Sequence, residues 1–80
     1  SIGGTAKVGE ILKAQSNFGA TNLSYRWQVA DTAAGSYSYI PVETNKKLEI
    51  KEELRGKFIR VVITGDAGST KTSSPTSKVQ

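Results

Sequence analysis

An all-β, two-sheet sandwich of about seven short strands is the fold class that this 80-residue sequence predicts. Three observations predict it. Apolar and polar residues alternate with a period of two in several short runs. The runs recur roughly every 8–12 residues, between clusters of Gly, Pro, Asn, Asp and Ser. No stretch carries a helical period for more than about one turn. A chain of this length makes a single domain, residues 1–80, and buries only about 60–65% of its unfolded surface.

The elements follow in order. Ile2 to Lys7 reads as an edge segment that turns at Val8-Gly9. Ile11 to Gln15 is a short strand with Leu12 and Ala14 inward and Ile11 plugging one end. Asn17 to Ala20 is a loop. Leu23 to Val29 has the cleanest alternation: Leu23, Tyr25, Trp27 and Val29 face the core, Ser24, Arg26 and Gln28 face away. Asp31 to Ser38 is a long hairpin connection rich in Ala, Ser and Gly. Tyr39 to Val42 is a short strand, and Pro41 confines it to an edge because it has no N–H to donate. Leu48 to Ile50 is another short strand, and Lys51 to Arg55 is a helical turn stopped by Gly56. Phe58 to Thr64, dense in β-branched residues and bounded by Gly56 and Gly65, is the central strand. Thr70 to Val79, polar on both faces except at Val79 and interrupted by Pro75, is an outer edge strand.

Composition narrows the chemistry. The sequence has no Cys, His or Met. That removes the usual transition-metal ligands, thiol nucleophiles and His-based triads. Glu52 and Glu53 are adjacent and so diverge in direction, and no base of suitable pKa attends any serine. No catalytic residues, cofactor or metal are therefore expected. No apolar run approaches the ~20 residues of a membrane span, so membrane insertion is not expected. The net charge of +4 is mild, and the basic stretch Lys46, Lys47, Lys51, Arg55, Lys57 is interleaved with Glu49, Glu52 and Glu53. That mixture is not a nucleic-acid footprint. It still permits diffuse attraction to anionic cell-wall polymers.

Several segments resemble bacterial immunoglobulin-like repeats of surface-layer and other large cell-surface or secreted proteins. Ile2-Gly3-Gly4-Thr5-Ala6-Lys7-Val8-Gly9-Glu10-Ile11-Leu12-Lys13-Ala14 resembles their opening strands. Tyr25-Arg26-Trp27-Gln28 is similar to their strand C, Ile50 through Thr64 to strands E and F, and Thr72-Ser73-Ser74-Pro75 to strand G. The resemblance covers nearly the whole chain and implies an immunoglobulin-like sandwich. Leu54 and Phe58 depart from it, Phe58 removing the hydroxyl of a tyrosine corner. It implies an extracellular, cell-surface setting in a longer multidomain protein, from which a chain opening at Ser1 is read as a piece. It also implies a non-catalytic spacer or assembly role, with neighbouring domains or subunits as partners.

Among individual side chains, Trp27 is read as core. Tyr37 and Tyr39, spaced i and i+2, are the candidate ligand-binding residues, able to form a platform for sugar or protein together with Arg26 or Gln28. They carry the alternative function, a carbohydrate-binding or adhesion module of a secreted protein or polysaccharide-degrading enzyme. Asp31 and Asp66 are too few for calcium and read as turn formers. Asn22-Leu23-Ser24 matches an N-glycosylation sequon, read as accidental.

Overall fold

The computed structural model of the chain describes residues 2–15, 22–41, 43–65 and 68–80. Seven strands run in the order β1 (Ile2–Gly3), β2 (Ile11–Ala14), β3 (Ser24–Ala30), β4 (Ser38–Tyr39), β5 (Lys47–Glu49), β6 (Phe58–Thr64) and β7 (Thr70–Thr72). They form two antiparallel sheets, β1-β2-β5 and β4-β3-β6-β7, packed face to face as a two-sheet sandwich. Lettered in the immunoglobulin manner the sheets are A-B-E and C′-C-F-G. The predicted loop at Asn17 to Ala20 lies outside the described residues, as do Val42 and Asp66.

The core follows from period-two alternation. Leu12, Ala14, Leu48 and Ile50 come from the β1-β2-β5 side; Trp27, Ile59, Val61 and Ile63 come from the other. Trp27 is wholly buried, and its Nε1–H donates to the Asn45 carbonyl at 2.7 Å. That bond satisfies the ring's one polar atom. Fully burying each large aliphatic side chain here contributes about 1.5–3 kcal/mol.

β3 and β6 pair over their full length, from Ser24 opposite Thr64 to Ala30 opposite Phe58. β6 spans the residues the sequence predicts. Ile11 does not plug an end of the sandwich. It is 56% exposed on the outer face of β2, because its neighbours Leu12 and Ala14 take the inner positions. The strand expected over Tyr39 to Val42 ends at Tyr39; Ile40 still donates its N–H to the Trp27 carbonyl, and Pro41 lies in a turn. The turn after β5 is a single 3₁₀ turn, Glu52–Leu54, with Leu54 buried.

Regular pairing of the last strand stops at Thr72, yet the chain stays on β6. Ser73, Thr76 and Val79 donate to the carbonyls of Val61, Ile59 and Lys57 at 2.8–2.9 Å. Around Pro75 the β6 N–H groups turn to hydroxyls instead: Val61 donates to Ser73 Oγ and Ile59 to Thr76 Oγ1. Every donor of the central strand near the interruption thus finds an acceptor, although Pro75 breaks the ladder.

The first segment changes sheets. Ile2 and Gly3 pair with β2, but Ala6 to Val8 belong to the opposite side. Gln80 donates to the Ala6 carbonyl and accepts from the Val8 N–H, at 2.9 and 2.8 Å, a parallel bridge centred on Lys7. Gly4, at φ +111°, makes the crossover; a Cβ there would meet the Ile11 carbonyl oxygen at 2.6 Å. Ile2 therefore lies beside Ala14, towards one end of the sandwich, and Gln80 lies by the Lys57 end, at the other.

Candidate functional site

The outer face of β4-β3-β6-β7 collects the side chains that the core rejects. On β3 these are Ser24, Arg26, Gln28 and Ala30, and on β6 Phe58, Arg60, Val62 and Thr64. Tyr39 stands opposite Gln28. Tyr37 precedes β4, so the two tyrosines share this side without both belonging to a strand.

Neither ring is a bare platform. The Arg26 guanidinium lies 4.1 Å from the centre of the Tyr39 ring, and that of Arg60 lies 4.0 Å from the centre of Tyr37. Such contacts contribute about 0.5–1 kcal/mol each when exposed. Arg60 Nε–H also donates to Gln28 Oε1 at 2.6 Å, and the Tyr37 hydroxyl donates to the Ala33 carbonyl at 2.8 Å. Gln28, Arg60, Tyr37 and Ala33 thus form one chain of contacts from the middle of the sheet to the β3–β4 connection. Gln28 is 7% exposed despite facing away from the core. Tyr39, at 49% exposed, is the more exposed of the two rings.

Sequence reasoning named Tyr37, Tyr39, Arg26 and Gln28 but not Arg60. The alternation of β6 does put Arg60 outside. Its place opposite Gln28 depends on the β3–β6 register, which no short turn signals because some 27 residues of chain intervene.

Two ion pairs among the described residues lie elsewhere, Lys57 with Asp31 and Arg55 with Glu52. Lys57 donates to Asp31, and this hydrogen bond, with the nearby positive charge, holds the Asp31 carboxyl below its ordinary value. The hydrogen bond from Arg55 does the same for Glu52. Two members of the basic stretch are thereby matched to carboxylates, while Lys46, Lys47 and Lys51 are exposed. Asp31 faces an ammonium group rather than other carboxylates, and among the described residues no group of three or more Asp or Glu converges. Asn22 of the sequon is exposed at φ +54°, and Ser24 opens β3. An open groove of about 310 Å³ lies beside β5, lined by Ile40, Pro41, Glu43, Leu48 and Leu54 among others. No helix among the described residues is long and apolar enough to cross a membrane.

No protein-family model matches the chain, and a search of curated proteins returns no match.

Proposed function

We propose that the domain is a non-catalytic structural module of a bacterial cell-surface protein, serving as a spacer that contacts neighbouring domains or subunits. One observation carries the reading: the chain starts towards one end of the sandwich, by Ala14, and finishes at the other, by Lys57. A domain with that geometry can be joined in series without its neighbours competing for the same end. The C-terminal segment is also fixed to the body through the bonds of Gln80 to Ala6 and Val8. The motif resemblance to bacterial immunoglobulin-like repeats supports the surface setting, and the A-B-E and C′-C-F-G strand order agrees with the sandwich that the resemblance implies.

The test is a tandem of two copies joined head to tail, measured by small-angle X-ray scattering and thermal unfolding. A spacer gives a maximum dimension of about twice the 35 Å long axis, with each copy unfolding as it does alone. A compact side-by-side pair would sink the proposal. The alternative reading as a recognition module is favoured by one observation, the exposed Tyr39 on the arginine-bearing face.

A further inference from the structure

The geometry points to the outer face of β3, β4 and β6 as a binding site for a carboxylated polysaccharide, with Arg26 and Arg60 as the anion-reading residues. The inference stands apart from the serial arrangement, since it concerns a side of the sandwich and not its ends.

The chemistry of the face differs from that of an aromatic sugar platform. A neutral sugar stacks on an open ring. Here each tyrosine already carries a guanidinium at stacking distance, 4.1 Å for Arg26 on Tyr39 and 4.0 Å for Arg60 on Tyr37. Stacking occupies the flat side of a guanidinium and leaves its N–H edge available in the plane, the edge that matches a carboxylate bidentately. Arg60 uses Nε on Gln28. Neither arginine is ion-paired with a described carboxylate. Among the described residues, the outward positions of β3, β4, β6 and β7 hold no Asp or Glu. The described carboxylates lie elsewhere: Glu10 before β2, Glu43 lining the groove beside β5, Glu49 on β5, Glu52 and Glu53 in the 3₁₀ turn, and Asp31 bound to Lys57.

Register adds a second argument. Gln28 faces Arg60 and Arg26 faces Val62, so the two arginines occupy diagonal positions on adjacent strands. Diagonal positions lie about 7–8 Å apart. The two positive charges therefore share one face, and among the described residues nothing negative on it offsets them. An anionic chain laid across the sheet would supply the missing charge at both points, and Arg60 is already fixed by Gln28 and Tyr37, which lowers the ordering cost of binding. The occupant is a polysaccharide and not an acidic protein because hydroxyls, which match those of a sugar chain, surround the two arginines at Ser24, Thr64 and Thr72, while the apolar side chains of the face, Val62 and Phe58, are half-buried.

Isothermal titration with polygalacturonate tests this, beside neutral dextran and poly-glutamate of similar length. The wild-type chain should bind polygalacturonate, more weakly at raised salt, and bind neither of the other polymers comparably. Arg26→Gln with Arg60→Gln should weaken binding by at least about tenfold. Lys13→Gln with Lys46→Gln, which removes the same charge away from the face, should leave it within about twofold. A thermal midpoint for each variant shows that it is folded; if the double arginine variant is unfolded, Arg26→Gln alone takes its place, because Arg26 makes no bond to Gln28. No binding by wild type, equal loss in the lysine variant, equal binding of dextran, or preference for poly-glutamate each overturns the proposal.

Discussion

Replacing Trp27 by Ala is the sharpest test of the packing. The indole is wholly buried between the sheets, so truncation removes its transfer free energy and leaves a cavity, together about 3–5 kcal/mol. The lost hydrogen bond adds little. Its acceptor, the carbonyl of Asn45, belongs to an exposed residue that water can reach, and a typical bond of this kind contributes about 0.5–1.5 kcal/mol. A domain of this size has a total stability of about 4–12 kcal/mol. The substitution therefore consumes about a quarter of it at least. With ~4–8 °C of midpoint per kcal/mol, the thermal midpoint should fall by at least about 12 °C, or the chain should not fold at all. Trp27→Phe, which keeps a buried ring and drops the N–H, should cost only about 1–2 kcal/mol. The assay is far-UV circular dichroism, because Trp27 is the sole tryptophan and its removal deletes the intrinsic fluorescence signal. A shift below about 5 °C for Trp27→Ala would falsify the account of the core.

Three further outcomes are expected. Gly4→Ala should destabilise more than Gly56→Ala: both residues have positive φ, costing about 1–2 kcal/mol for Ala, but a Cβ at Gly4 also meets the Ile11 carbonyl oxygen while one at Gly56 meets nothing within 4 Å; urea midpoints compare them, and equal losses would contradict the crossover geometry. Because Asp31 is held below its ordinary value of 3.8, its pairing with Lys57 contributes stability at neutral pH that is lost as the pH falls through the lowered folded value; the melting difference between wild type and Asp31→Asn should shrink as pH drops below about 4, and a difference that grows there would reverse the assigned sign. Val79→Ala removes two buried carbons beside Gly56 and Lys57 and should cost about 1–2 kcal/mol by chemical denaturation, against no change if the C-terminal segment is not docked.

The strands that alternate were readable, and those that depend on partners were not. β6 could be bounded because Val61, Val62 and Ile63 lie between turn-forming glycines, and Trp27 could be placed because three apolar residues share its phase. Ile11 was misjudged because hydrophobicity alone says nothing about phase; its exposure follows from Leu12 and Ala14 facing inwards. The C-terminal strand is shorter than its weak alternation suggests, since Ser73 and Thr76 hydroxyls take over where Pro75 interrupts pairing. The tyrosines and Arg26 were visible in the sequence, but Arg60, and the placing of an arginine on each ring, were not. Arg26 and Arg60 lie far apart in sequence, and only the pairing of β3 with β6 brings them onto one surface.

The bridge at Gln80 bears on how the domain meets tension. A pull on the two ends runs along the strand axis, because Ile2 and Gln80 lie towards opposite ends. The bonds joining Gln80 to Ala6 and Val8 cross between neighbouring strands, so the load shears them together and does not peel them one by one. Resistance to extension is thereby concentrated in the backbone contacts of the two terminal segments, Ile2 and Gly3 on β2 and Gln80 on Ala6 and Val8, which part before load reaches the wholly buried Trp27.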